Sequence, residues 1–374
     1  MPRSFDIFCR VVDNYGDIGV CWRLARELAR RGGPERVVRL CSDDLRTFSR
    51  IAPGVTPTAA AQTIHGIDIV PWAQAATAEP ADVVIEAFAC SPPAGYLARL
   101  TPRQLWINLE YLSAEDWVES CHGLPSLQAG GLRKFFFFPG FTAGTGGLLR
   151  EDDLIARRNA WQRNADARLS LLARLGVSTE WLQRLQDGAR LVYVFCYPDS
   201  PQNALVQALA GAAPDTLILA PEGVWHAGSA PHEGTGSASK VGVHAHAFVD
   251  QETFDQMLWS ADLNIVRGED SLVRAIWAGR PMIWQPYRQA DDLHLEKLAA
   301  WLARAPYAPD VKALMYAWST GDSTTLATRL PQLLQGDAHA RWAAQARNWS
   351  LTLAGQTSLA QRLERFCTEH AQTR

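Results

Sequence analysis

The strongest constraint in this chain is an alternation of short apolar runs with segments long enough to be helices. The first half carries "FDIFCRVV", "RVVRLCSDD", "GIDIVPW", "DVVIEAF", "QLWINLEYLS" and "KFFFFPGF". A second series, "RLVYVFCY", "TLILAPEG", "VGVHAHAFV", "DLNIVRG" and "RPMIWQPY", begins at residue 190. Strands joined by helix-length connections cannot close as hairpins, and they form parallel sheets with helices on both faces. A first helix is expected from Ile18 to Arg31, with Val20, Leu24 and Leu28 as its buried stripe. Residues 151–188 are helical and charged, which suits a bridge between lobes, and the chain is helical again from about Val311. The expected fold class is α/β, with two doubly wound, Rossmann-like domains facing a cleft. Ligands of such sheets bind at the carboxyl ends of the strands.

A length of 374 residues suits about two domains. A net charge of −3 gives no global pull toward nucleic acid or an acidic membrane, so neither is an expected partner. Seven scattered cysteines without a CxxC pair read as buried reduced thiols, and no His and Cys share metal-ligand spacing. With no signal peptide and no apolar run near twenty residues, a cytoplasmic location is expected. "HAGSAPHEGTGSASK" (226–240) reads as a mobile surface loop.

Two stretches carry chemistry. In "VVDNYGDIGVCW" (11–22) a strand passes into a helix through two aspartates, Asp13 and Asp17, and two glycines, Gly16 and Gly19. Asp17 suits a helix cap, which stabilises by about 1 kcal/mol. Two acids beside a strand's carboxyl end also make a site able to orient or deprotonate a nucleophile. In "NIVRGEDSLVRAIWAGRPMIW" (264–284) a strand ends at Arg267, Gly268 turns, and Asp270 or Ser271 can cap the next helix. A helix start beside an arginine is a pyrophosphate cradle. Glu269 would repel phosphate and suits a hydroxyl or a cationic group instead; a capping box with solvated acids is the plainer alternative. Phe248, Phe254 and Tyr193 suit either core positions or a platform for a base. His244 and His246 alternate along a strand and read as ordinary strand residues.

"DNYGDIGVCWRLAREL", "WINLEYLSAEDWVESCHGLPS", "KFFFFPGFTAGTGGLLRE" and "DLNIVRGEDSLVRAIWAGRPMIWQPY" together resemble the bacterial protein-arginine rhamnosyltransferases that modify translation elongation factor P. The resemblance runs from about residue 5 to residue 302, with "EAFAC" carrying Ala89 in place of an expected glycine and "WQPY" in place of "WHIY". It implies the GT-B glycosyltransferase architecture. The acceptor-side domain would be 1–183 with a terminal helix 356–374 packed back on it, and the nucleotide-sugar domain 184–355. It implies an enzyme that inverts the anomeric carbon of dTDP-β-L-rhamnose as it moves rhamnose to an arginine of elongation factor P. That factor, once modified, assists polyproline translation. No metal and no cofactor beyond the donor are implied.

Carried onto this chain, the resemblance makes Asp13, Asp17 and Glu269 catalytic. It gives the donor Asn14, Tyr15, Gly16, Tyr193, Phe248, Phe254, Arg267, Glu269, Asp270 and Ser271. The acceptor side takes Asp13, Asp17 and Tyr287, with Asp17 as the base. The alternatives are a GT-B enzyme, transferase or epimerase, acting on a small molecule or lipid, and a non-catalytic dTDP-sugar-binding regulator.

Overall fold

The computed structural model describes residues 2–12, 15–226 and 240–372. Asp13, Asn14 and most of the loop expected at 226–240 lie outside the described residues. The chain divides into two compact units, one of Met1–Asp152 with Gly355–Arg374 and one of Asp153–Ala354.

The first unit is built on one sheet. Its strands are β1 (Ser4–Cys9), β2 (Val37–Ser42), β3 (Gln62–Ile64), β4 (Ile67–Pro71), β5 (Val83–Ala87), β6 (Leu105–Leu109), β7 (Pro125–Leu127) and β8 (Arg133–Phe137). They lie in the order β3-β4-β2-β1-β5-β6-β8-β7. The inner strands are parallel, and the short β3 and β7 pair antiparallel at the two edges. β5 and β6 are buried along their whole length, as expected of a parallel sheet covered on both faces. The chain order reverses between β1 and β5, so the loops leaving these two strands diverge and open a crevice at their carboxyl ends.

The helix Tyr15–Gly32 covers this sheet with Ile18, Cys21, Leu24, Ala25 and Leu28, all fully buried. Val20, expected in the stripe, is only partly buried. The terminal helix Leu359–Gln372 places Leu359, Leu363 and Cys367 in the same core as Phe5, Leu24 and Phe135. Its Glu364 takes Arg31 at 2.7 Å and a second ion pair from Arg36.

The second unit holds β9 (Arg190–Val194), β10 (Thr216–Pro221), β11 (Val241–His246), β12 (Leu263–Arg267) and β13 (Met282–Gln285). All are parallel, in the order β11-β10-β9-β12-β13, and the order reverses between β9 and β12. Residues 154–183, expected with the first domain, group with this unit. Arg158 gives the physical reason. It is 2% exposed and donates to the Trp277 carbonyl at 2.8 Å and to Ser350 Oγ at 2.9 Å. Gln162 adds a bond to the Ala278 carbonyl at 2.9 Å. A buried guanidinium satisfied only by second-unit groups cannot leave without stranding its donors. No helix among the described residues is long and apolar enough to cross a membrane.

Candidate active site

At the carboxyl edge of the first sheet, β1 gives way to an acidic turn. Asp17 sits in the first turn of the helix Tyr15–Gly32 and is 2% exposed. Its Oδ2 accepts the Val12 amide N–H at 2.8 Å, so the side chain reaches back toward the residues that follow β1. The expected N-cap geometry is therefore replaced by a backward reach, like the returning arm of a capping box. Asp43 holds the neighbouring Val11 N–H at 2.9 Å, and two carboxylates thus clamp successive peptides leaving β1. Tyr15 packs on the first-unit core, and its hydroxyl accepts from Arg50 at 3.2 Å.

The second unit gathers its chemistry around Arg267, the last residue of β12. The guanidinium lies 4.7 Å from the Phe195 ring centroid and 4.6 Å from that of Tyr197. Two cation–π contacts fix a side chain that would otherwise sweep freely, and they leave its charge uncancelled. Gly268 follows at φ 65°, ψ −166°, a region open essentially to glycine alone. Its carbonyl accepts from Trp284 Nε1 at 2.7 Å, and its N–H donates to the Gln285 carbonyl at 3.1 Å. The helix Glu269–Ala278 then begins with Gly268 at its N-cap, a residue with no side chain of its own to cap the first amides. Glu269 and Asp270 are half-buried on that first turn. The Ser271 hydroxyl is turned onto the Arg267 carbonyl, which leaves its backbone rather than its side chain facing the helix start.

The aromatic platform differs from expectation in one member. Phe254 makes edge contacts with Phe195 and with Tyr193, each at 5.8 Å. Phe248 is half-buried nearby in sequence, on the loop after β11. Tyr193 is 1% exposed, and burial pushes its hydroxyl well above the usual phenol range. It supports Phe254 from within the core and does not wall an open site. Phe195 and Tyr197 occupy that outer position. Tyr193 lies in β9, and Phe195 and Tyr197 follow its end at the same two-residue spacing, so the signal was present, but only depth separates the core ring from the two beyond it. Tyr287, assigned above to the acceptor side, stands in the second unit edge-on to Tyr197 at 5.7 Å. It therefore joins the Arg267 group. His246 is buried, stacks on Tyr193 at 6.1 Å, and burial lowers its pKa.

The platform and cradle are locked together. Arg274 on the cradle helix donates Nε to Asp255 Oδ1 at 2.9 Å, and Asp255 stands one residue after Phe254. Both side chains are almost fully buried. Among the described residues no group of three or more His, Cys, Asp or Glu is placed to hold a metal ion.

A family model described as "Elongation-Factor P (EF-P) rhamnosyltransferase EarP" matches residues 5–368. A protein-arginine rhamnosyltransferase of Pseudomonas putida is 46% identical over 98% of this chain and 99% of its own length. One from Neisseria meningitidis serogroup B is 34% identical, covering 98% of both chains. The solved structure described as "Structural basis for EarP-mediated arginine glycosylation of translation elongation factor EF-P" is 32% identical, with a TM-score of 0.64, over 98% of this chain and 99% of that one. The spinosyn rhamnosyltransferase SpnG shares only 12% identity but reaches a TM-score of 0.51 over 97% of this chain and 99% of its own, a likeness of fold alone.

Proposed function

This chain belongs to the EF-P rhamnosyltransferase family, with the GT-B glycosyltransferase fold, and from that premise we propose that it moves rhamnose from dTDP-β-L-rhamnose to an arginine of elongation factor P. The observation that carries the donor half is Arg267, held between Phe195 and Tyr197 at the head of the helix that Gly268 begins. A fixed cation beside a helix N-terminus is a diphosphate site. Phe254 and Phe195 supply faces for the base, and Glu269 accepts from a donor hydroxyl. The reading requires no metal, because Arg267 and the helix start bear the leaving group's charge.

The acceptor half belongs to the acidic turn after β1. A guanidinium is protonated up to a pKa above about 12 and its lone pairs are delocalised, so it attacks poorly unaided. Asp17 draws the positive charge toward one end of the fork and takes the proton as the nitrogen bonds to the anomeric carbon. The carbon–oxygen bond to the β-phosphate breaks, and its electron pair leaves with dTDP. One displacement inverts the centre and needs no covalent sugar–enzyme intermediate. A translation factor as acceptor places this work in the cytoplasm, and its product is the factor active in polyproline synthesis.

The test is incubation with dTDP-rhamnose and purified elongation factor P, read by intact mass. A single added deoxyhexose on one arginine, α-linked by NMR, is expected, and it should form equally in EDTA. No mass shift with both proteins folded would sink the reading.

A further inference from the structure

The loop leaving β5 is held in a conformation its residues disfavour. Phe88, Ala89 and Ser91 have φ of 56°, 53° and 49°, left-handed values that a non-glycine residue rarely adopts. What holds them is the end of β6. The Phe88 N–H donates to the Leu109 carbonyl at 2.7 Å, and the Ala89 N–H donates to Asn108 Oδ1 at 3.0 Å. Asn108 then gives its own amide hydrogen to Glu110 Oε1. The result is a Phe88 ring stacked on Tyr111, with centroids 4.3 Å apart and planes 15° from parallel.

Glu110 at this corner feels the charge of Lys134 but is not ion-paired with it. It is half-buried, and burial, followed by the charge of Glu86, raises its pKa. Lys134, the nearby cation, is engaged with Glu86 at 3.0 Å and lies over Trp106 at 5.0 Å. No described residue makes an ion pair with Glu110. A carboxylate in that position beside a stacked aromatic pair suits a planar cation. A guanidinium can give it two N–H bonds and lay a flat face on a ring.

The place in the sheet supports this. Strand register aligns Phe8 with Glu86 and Glu86 with Asn108. Phe88, Glu110 and Tyr111 therefore cap the strands beside β1, at the point where chain order reverses. β1 and β6 are two strand spacings apart, about 10 Å. The acidic turn and Glu110 thus stand on either side of the Phe88 loop. Phe88 packs on the same core cluster as Val11 and Tyr15.

We infer that Glu110 and the Phe88–Tyr111 pair form the second half of the acceptor-arginine site, facing Asp17. Glu110 accepts from the nitrogens that do not react, and the ring pair takes the guanidinium face. Asn108 is a positioning residue for both. The inference rests on the acceptor being the arginine of elongation factor P.

Transfer kinetics toward elongation factor P test it in Glu110→Gln, Tyr111→Leu and Tyr111→Phe, with dTDP affinity and melting temperature measured for each. Glu110→Gln and Tyr111→Leu should raise KM for the protein acceptor by about tenfold or more, the scale of a lost charge-assisted contact. dTDP affinity should stay within about twofold, and Tyr111→Phe, which keeps the ring, should restore KM. An unchanged acceptor KM in Glu110→Gln overturns the inference, as does a loss confined to kcat. Collapse of the Glu110→Gln melting transition also overturns it, by making the carboxylate a structural group. In each of these cases wild-type transfer still upholds the proposed function; only failure of the wild type to transfer removes that.

Discussion

Asp17 Oδ2 accepts the Val12 N–H at 2.8 Å, so the proposed base also pins the peptide that leads into its own turn. The two duties separate by substitution. Asp17→Asn keeps an oxygen for Val12 and should leave the melting temperature within a degree or two, while rhamnosyl transfer falls by at least about 100-fold. Asp17→Ala strands a backbone N–H and should in addition cost about 1–3 kcal/mol of stability. Thermal melts and initial rates on the two variants check this; near wild-type turnover by Asp17→Asn removes the residue from the base role.

Arg267 is held by two rings, so the donor site should be sensitive to the rings as well as to the charge. Phe195→Ala removes one face of the clamp and a surface for the base, and dTDP binding should weaken by about 1–3 kcal/mol. Calorimetric titration with dTDP measures it. Tyr193→Phe, which changes only a buried hydroxyl, should leave that affinity nearly unaltered.

Breaking the Arg274–Asp255 pair should be far costlier than removing an exposed ion pair. Removing either side chain breaks a charge-assisted contact between two almost fully buried groups, a loss of about 3–5 kcal/mol. Asp255→Ala is therefore expected to unfold at much lower urea concentration than wild type. Arg184, paired with a largely exposed Glu180, is the contrasting case: Glu180→Ala should shift stability by less than about 1 kcal/mol.

His122 gives the first unit an acid-sensitive point. Its Nδ1 accepts the Phe138 N–H at 3.0 Å, and burial, followed by the charge of Arg362, lowers its pKa to about 4. The native ring stays neutral at pH values where the unfolded chain, with a histidine pKa near 6.5, takes up a proton. The stability it contributes is full above pH of about 6.5 and is lost as pH falls toward about 4. His122→Asn, which keeps an acceptor for Phe138, should flatten the fall in melting temperature between those limits.

Much of the fold was legible because parallel strands buried on both faces are near-continuous apolar runs, and each quoted run holds a strand of one of the two sheets. β3 and β7 were missed. "QTI" and "PSL" are too short to show a period, and partners already in place hold them. The membership of residues 154–183 turned on Arg158, whose burial no local pattern announces. At the site, Arg267 and Gly268 could be read because a strand end followed by glycine and acids has few other uses. Phe195 and Tyr197 could not be separated from Tyr193, since alternation specifies a face and says nothing of depth. The Glu110 corner was invisible for a similar reason: it is made by loops from two strands, and only their pairing brings Phe88 onto Tyr111.

The second unit is inserted in the sequence of the first, and this fixes the order in which the molecule can mature. The ribosome completes Asp153–Ala354 as one continuous segment, which can fold as soon as it emerges. The first unit has all its strands by then, yet its core lacks Leu359, Leu363 and Cys367 until the segment beyond Ala354 is released. Synthesis therefore runs N-terminal first while completion runs the other way. The half proposed to receive another protein's arginine closes its core only after the whole of the second unit has been made.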